Sequence, residues 1–488
     1  MSWFNDMESK IPRGGVRTRF APSPTGYMHV GGLRTALYAY LLAKKHGGTF
    51  ILRIEDTDTA RFVPGATEII IETLTGAGLI YDEGPDIGGP VAPYTQSERR
   101  ETYRPYAELL CERGAAYYCF CEQGQSEGFE IADDPCRDLP YDSAKARVDA
   151  GEAHVIRLKV PREGETTVHD MVFGEITARN DTLDDMVLLK SDGMPTYNFA
   201  NVIDDHLMGI THVMRGSEYL SSAPKYNLLY EALGWEIPEY VTVSPVKRDQ
   251  QNKLSKRHGD PTYNDLLSQG YLPDAVLNYV ALLGWSPGGE RELFTLPELI
   301  EVFDIGGISK SPAIFDMEKL TYFNSEYIRA MPPEQFAELA RPYIEGAVQS
   351  DAVSYDAIAA LLQPRCEKLT DIPEKVDFFG SLPEYSTELY VHKKSKTDEA
   401  VSLEVLRGIY TAFEGLSDWT QEAIHETLIE RAAATDVKNA TIMWPVRIAC
   451  AGRAVTPGGA VEICAILGRD ETLRRLSKGI AKLTEALS

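Results

Sequence analysis

At 488 residues, 43 % of them apolar, the chain is long enough to bury several hydrophobic cores and too apolar to be a disordered polymer. Lys and Arg number 49 against 73 Asp and Glu, a net charge of −24, which excludes a protein basic all over, although basic grooves coexist with an acidic shell. No apolar run approaches the ~20 residues of a bilayer span, and the opening Met-Ser-Trp-Phe-Asn-Asp has no basic-then-apolar leader, so a cytoplasmic protein with no membrane partner is expected.

In chain order, Val16–Phe20 is short and β-prone, and Pro22, Pro24 and Gly26 then forbid regular structure. From Gly31 the chain turns helical: Leu33, Leu37, Tyr40 and Leu41 share one face. His29 therefore stands just ahead of a helix N-terminus, where unpaired N–H groups and the helix dipole favour phosphate. Gly31 and Gly32 put no side chain between the backbone and a nucleotide. Taken alone, so short a pattern is equally an ordinary turn with a solvated histidine. The apolar run Phe50–Ile54 reads as a buried parallel strand, ending in Glu55-Asp-Thr-Asp58. Ligands of open α/β sheets bind at such carboxyl ends, so an anionic Glu55 there could accept an ammonium group; a plain helix cap is the alternative.

Seven cysteines with no secretory signal argue for reduced thiols. Cys119-Phe-Cys121 with Cys136 is the one cluster among them. Strands are expected around Val155–Val160 and Met186–Leu189. Pro195–His206 leads to Val213-Met-Arg215-Gly216-Ser-Glu218, where Arg215 follows a short apolar stretch and offers the planar fork that matches a carboxylate. Lys247, Arg248, Lys253, Lys256, Arg257 and His258 are too polar a stretch to pack as core. On so acidic a chain, a tight cationic loop suits a local anion and can close on a triphosphate. Residues 258–332 alternate short helical stretches with Gly-rich breaks. Beyond Pro332, Glu334–Ile344, Leu403–Phe413 and Glu471–Leu487 carry helical spacing, so the C-terminal part reads as all α.

Together, His29-Val-Gly-Gly32 and Lys253-Leu-Ser-Lys256-Arg257 resemble the two ATP-handling signatures of class I aminoacyl-tRNA synthetases. Pro22-Ser-Pro-Thr-Gly26, Arg34-Thr-Ala36, Arg53-Ile-Glu-Asp-Thr-Asp58, Asn201-Val-Ile-Asp-Asp205 and Arg447-Ile-Ala-Cys-Ala-Gly-Arg453 extend the resemblance to the bacterial glutamyl-tRNA synthetases, over almost the whole chain. The resemblance implies an α/β fold. A Rossmann-like nucleotide-binding domain in two halves, 1–96 and 198–257, would flank an α+β acceptor-end-binding insertion at 97–197. A stem-contacting linking domain at 258–332 and an all-α anticodon-binding region at 333–488 would follow. It also implies a ligase that activates L-glutamate with ATP and Mg²⁺, transfers it to the terminal adenosine of tRNA(Glu), releases AMP and pyrophosphate, and works as a monomer.

Carried over position by position, the resemblance assigns Arg19, Ser23, Glu55, Tyr197, Asn201 and Arg215 to glutamate. It assigns His29, Gly31, Gly32, Glu218, Val246, Lys253, Ser255, Lys256 and Arg257 to ATP, with His29, Lys253 and Lys256 catalytic and Lys256 the principal phosphate ligand. Gly32 stands where the general signature has a second histidine, which leaves His29 to carry the imidazole role alone. Leu254 and Arg257 replace Met and Ser, keeping shape and adding charge. Some members hold zinc with Cys-x-Cys and a later Cys-x-His. Here the set would be Cys119, Cys121, Cys136 and Asp138, and since Cys₃Asp is not among the usual structural sets, a metal-free insertion is expected. A shortened paralogue and a small-molecule nucleotidyltransferase lack the long C-terminal part, and a catalytically dead tRNA binder would have lost His29, Lys253 or Lys256. Whether tRNA(Gln) is charged as well is left open.

Overall fold

The computed structural model describes residues 2–58, 63–121, 134–252, 254, 260–350 and 352–488. They form two compact units, Met1–Leu266 with Pro273–Met317, and Leu267–Leu272 with Glu318–Ser488. The first begins with α1 (Ser2–Ser9), β1 (Arg17–Phe20), α2 (Val30–Lys45), β2 (Thr49–Leu52) and α3 (Ala66–Gly76). It continues through α4 (Arg100–Glu112), β3 (Ala116–Cys119), α5 (Tyr141–Asp149), β4 (Val155–Leu158), β5 (Glu165–Asp170), β6 (Gly174–Arg179) and β7 (Val187–Leu189). Then come α6 (Tyr197–Leu207), β8 (His212–Gly216), α7 (Ala223–Leu233), β9 (Glu239–Val243) and β10 (Val246–Lys247), which pairs with β11 (Ala313–Ile314).

The main sheet runs β2-β1-β8-β9-β5-β6, parallel from β2 to β5, with β6 antiparallel at the edge. Every residue of β1 is buried, as a parallel strand covered on both faces requires. From β1 the chain moves to β2 on one side, and β8 later joins on the other. The crevice above the carboxyl ends of β1 and β8 is thus a switch point of the winding, the place where such sheets bind ligands. The turn after β1 needs Gly26, whose φ of 114° is closed to most side chains.

Sequence reasoning expected α2 to bury one stripe, yet Val30, Leu33, Arg34 and all of Ala36–Ala43 are buried. The reason is a second cover: the helix Pro273–Ala281 lies against it, and Tyr38 Oη donates to the carbonyls of Ala281 and Leu283. Helix α1, which sequence periodicity did not predict, seats Trp3 and Phe4 on Tyr106 and places Glu8 Oε1 2.8 Å from His206 Nε2.

The strands expected at Val155–Val160 and Met186–Leu189 are β4 and β7, which with β3 make a separate three-stranded sheet. The hairpin β5–β6 instead joins the main sheet through Asp170 and Tyr240. On α6, Tyr197, Asn201, Asp204 and Asp205 stand at i, i+4, i+7 and i+8, one side of a helix. Asp204 accepts from Gln96 Nε2, Arg99 Nε and Tyr103 Oη at 2.7–2.9 Å, pinning the helix to the residues on either side of the start of the 97–197 segment.

The second unit is helical among its described residues, with Pro333–Val348, Glu399–Glu414 and Arg469–Ala486 matching the three periodic runs of the sequence. Its core includes the fully buried Arg475, which donates to the carbonyls of Phe378 and Cys450. No helix among the described residues is long and apolar enough to cross a membrane.

Candidate active site

A cleft of about 490 Å³ opens at the switch point. Its lining includes Arg19, Ser23, Glu55, Tyr197 and Arg215 together with His29, Gly31, Gly32, Glu218 and Val246. The fold therefore gathers ten sequence-predicted residues into one cavity. Asn201 is not among the lining residues: it is buried, and its Nδ2 donates to the carbonyl of Tyr197, holding the first turn of α6. Lys253, Ser255, Lys256 and Arg257 lie outside the described residues, although their neighbour Leu254 lines the cleft.

His29 is the N-cap of α2. The Gly32 N–H donates to its Nδ1 at 3.2 Å, so Nδ1 is unprotonated and the ring proton of the neutral form sits on Nε2 as a donor. A Cβ on Gly31 would press on this imidazole at 3.2 Å, a reason for glycine that sequence reading ascribed to the nucleotide alone.

Four of the buried charges in and beside the cleft are paired with one another. Arg19 on β1 sends Nε and Nη2 to Asp205 on α6 at 3.0 and 3.2 Å. Arg53, just past β2, bridges Asp205 at 2.7 Å and Glu55 at 2.8 Å. Burial pushes the Glu55 carboxyl above its ordinary range, against the pull of Arg53 and Arg19. For Asp205 burial pushes the same way, but Arg19 and Arg53 outweigh it and hold the acid below its ordinary range. These four charges cancel.

Arg215, from the end of β8, is different. It is 6 % exposed, its Nη2 has no hydrogen-bond partner, and no carboxylate among the described residues pairs with it. Its guanidinium lies over the rings of Tyr240 and Tyr226 at 4.6 and 4.7 Å, which stabilise a cation without neutralising it. Arg215 thus presents to the cleft a positive charge that no acid among the described residues compensates. Sequence reasoning has Arg19 and Tyr197 help Arg215 read the substrate side chain; the structure turns most of the Arg19 fork toward Asp205.

Sequence reading gave no role to Arg34, one turn into α2. It lines the cleft, donates Nη1 to Leu283 O at 2.8 Å and Nη2 to Ser244 O, and leaves Nε without a partner. Tyr219, whose ring lies 5.5 Å from that of Tyr197, also escaped notice.

Apart from the cleft, Cys119, Cys121, Cys136 and Asp134 offer ligand atoms all within 4.8 Å of one another. Asp138, the residue the sequence pointed to, is not the fourth member. Its side chain is 90 % exposed and reaches Lys159 at 3.4 Å. Asp134 takes its place because the turn into Cys136 folds that carboxylate back, where Oδ1 accepts from Cys136 N.

The family model described as "tRNA synthetases class I (E and Q), catalytic domain" matches residues 15–322, and an "Anticodon binding domain" model matches 335–480. The chain therefore couples a class I synthetase catalytic domain to a helical anticodon-binding domain. A curated glutamate–tRNA ligase of Clostridium botulinum strain Hall is 54 % identical over 96 % of this chain and 98 % of its own. The Clostridium tetani glutamate–tRNA ligase is 53 % identical over 97 % and 99 %. A crystal structure of a glutamate tRNA ligase from Elizabethkingia meningosepticum, in complex with its amino acid, shares the fold with a TM-score of 0.89 at 36 % identity, covering 96 % of this chain and 100 % of that one. The chain belongs to the glutamate–tRNA ligase family.

Proposed function

We propose that this chain activates L-glutamate with ATP and transfers it to the terminal adenosine of tRNA(Glu). The observation that carries the reading is Arg215, a buried cation facing the cleft without an acid partner among the described residues. Glutamate brings one net negative charge, and Arg215 supplies a cation lining the cleft that lacks an acid partner among the described residues. Its side-chain carboxylate suits Arg215, and its ammonium suits Glu55, whose Oε1 is engaged by Arg53 and whose other oxygen accepts no hydrogen bond from a described residue.

With glutamate so held, an oxygen of its α-carboxylate attacks the α-phosphorus of ATP. The bond to the β-phosphate bridge breaks, pyrophosphate leaves, and the adenylate forms. A ribose hydroxyl of the tRNA end then attacks the adenylate carbonyl and AMP departs. No side chain is needed as nucleophile; the contribution is orientation and charge stabilisation. His29 Nε2–H and the N-terminal amides of α2 are donors for phosphate oxygens. Among the described lining residues only Glu55 and Glu218 are acidic, too few oxygens for an all-protein magnesium cage, so the ion is expected to arrive on the triphosphate and neutralise its charge. The helical region from 333 on is read as the anticodon binder and the 97–197 segment as the acceptor-end binder.

ATP–pyrophosphate exchange with glutamate, with and without tRNA, tests this reading. Exchange with glutamate and none with glutamine is expected; preference for glutamine would overturn it. Charging of purified tRNA(Glu) against tRNA(Gln) then settles how widely the enzyme acylates.

The cysteine cluster supports a second, structural role. With Asp134 the donor set is still three thiols and a carboxylate, outside the usual structural sets; what the fold adds is that these ligand atoms all lie within 4.8 Å of one another. Cys121 Sγ lies 3.8 Å from Cys136 Sγ and 3.6 Å from Asp134 Oδ1, near the edge of about 3.8 Å expected for a tetrahedron with zinc–sulfur bonds of about 2.3 Å. Arg157, 3.5 Å from Asp134 Oδ2, offsets part of the anionic charge. Protein purified without chelator should hold close to one zinc per chain by elemental analysis, and Cys121→Ser should lose most of it. Well under one equivalent in the wild type would return the segment to a metal-free reading.

A further inference from the structure

Asp205 and Arg53 do not line the cleft, yet each touches a residue that does. Arg19, Asp205, Arg53 and Glu55 form an alternating chain of charges whose two terminal members, Arg19 and Glu55, line the cleft. Its side chains are at most 5 % exposed. Both Asp205 oxygens are spent: Oδ1 accepts from Arg19 Nε and Arg53 Nη1, and Oδ2 from Arg19 Nη2. The Arg19 fork is also held by a donation to the carbonyl of Met214 at 3.0 Å, one residue before Arg215 on β8.

We infer that Asp205 is a positioning residue for amino-acid recognition, acting through Arg19 on one side and through Arg53 and Glu55 on the other. The inference rests on the glutamate reading above. Its physical basis is that water cannot screen a buried charge, so each member orients its neighbours. With Asp205 neutral, Arg19 and Arg53 face one another as like charges, and Glu55 becomes the only anion of the chain. Both cations then draw on the Glu55 carboxylate, which no longer offers an oxygen to an incoming ammonium. Arg19 loses the partner that fixes the plane of its guanidinium. Neither effect reaches the end of the cleft around His29 and Val246.

The test is Asp205→Asn in ATP–pyrophosphate exchange, alongside circular dichroism to confirm the fold. The glutamate KM should rise about tenfold or more, while the ATP KM stays within about twofold. A residue needed only for packing would lower the amount of folded protein or depress both substrates alike. Arg53→Lys, which keeps the charge but lacks the planar fork that reaches Asp205 and Glu55 from separate nitrogens, provides an independent reading and should show the same split between glutamate and ATP. Folded Asp205→Asn with an unchanged glutamate KM, equal losses for both substrates, or failure of both variants to fold would each overturn the inference. A wild-type enzyme that does not activate glutamate would sink the underlying reading instead; an active wild type with indifferent variants sinks the inference alone.

Discussion

Arg215→Gln is expected to lower glutamate-dependent pyrophosphate exchange by ~10³-fold while leaving the apparent ATP affinity within about twofold of wild type. Glutamate and glutamine have nearly the same shape, so exclusion by size cannot separate them. Charge can. The guanidinium is buried, faces the cleft and lacks an acid partner among the described residues. The tyrosine rings around it stabilise a cation but supply no counter-charge. A bound γ-carboxylate completes the site, whereas glutamine would leave a buried cation unpaired, at a typical cost of a few kcal/mol. Substituting the arginine removes that distinction and leaves a substrate carboxylate in a pocket with no opposite charge. Near wild-type exchange would mean that another side chain reads the substrate, and Arg19, with hydrogens beyond those it gives to Asp205 and Met214, would be next to examine.

The second large effect is expected at Lys256. The residue lies outside the described part of the chain, so the expectation rests on its cationic sequence context and on Leu254, two positions earlier, which lines the cleft. A lysine that meets the triphosphate as pyrophosphate departs acts on the transition state more than on the bound ground state. Lys256→Ala should therefore cut adenylate formation by roughly two orders of magnitude, with little change in glutamate affinity and in thermal stability. Single-turnover adenylate formation and a melting curve measure both. An unchanged rate would remove Lys256 from the chemistry.

Much of this site could be read in the sequence because its parts are local. The strand, proline-rich turn and helix start around His29, the apolar run ending at Glu55 and the short stretch ending at Arg215 each announce themselves within a few residues. What could not be read joins distant positions. Arg19 and Asp205 are 186 residues apart, and no spacing rule connects an arginine on the first strand to an acid on a later helix. The double burial of α2 depends on a helix some 240 residues downstream. Asp134 replaced Asp138 in the cysteine cluster because a turn, not a ligand-spacing pattern, decides which carboxylate folds back. The β5–β6 hairpin is not among the expected strands, and its pairing with β9 through Asp170 and Tyr240 is set by the tertiary fold.

Asp204 and Asp205 also bear on how this protein can be rebuilt. Neighbours in sequence, they face different tasks, one clamping Gln96, Arg99 and Tyr103 and the other holding Arg19 and Arg53. Residues on a helix are about 100° apart, so a single-residue insertion or deletion upstream in α6 would rotate both acids off their partners at once. The 97–197 segment is therefore not a cassette with free ends. A chimaera that imports it from a relative must bring an arginine and a tyrosine matching positions 99 and 103, or the recipient's Asp204 is left as a buried anion missing two of its three donors.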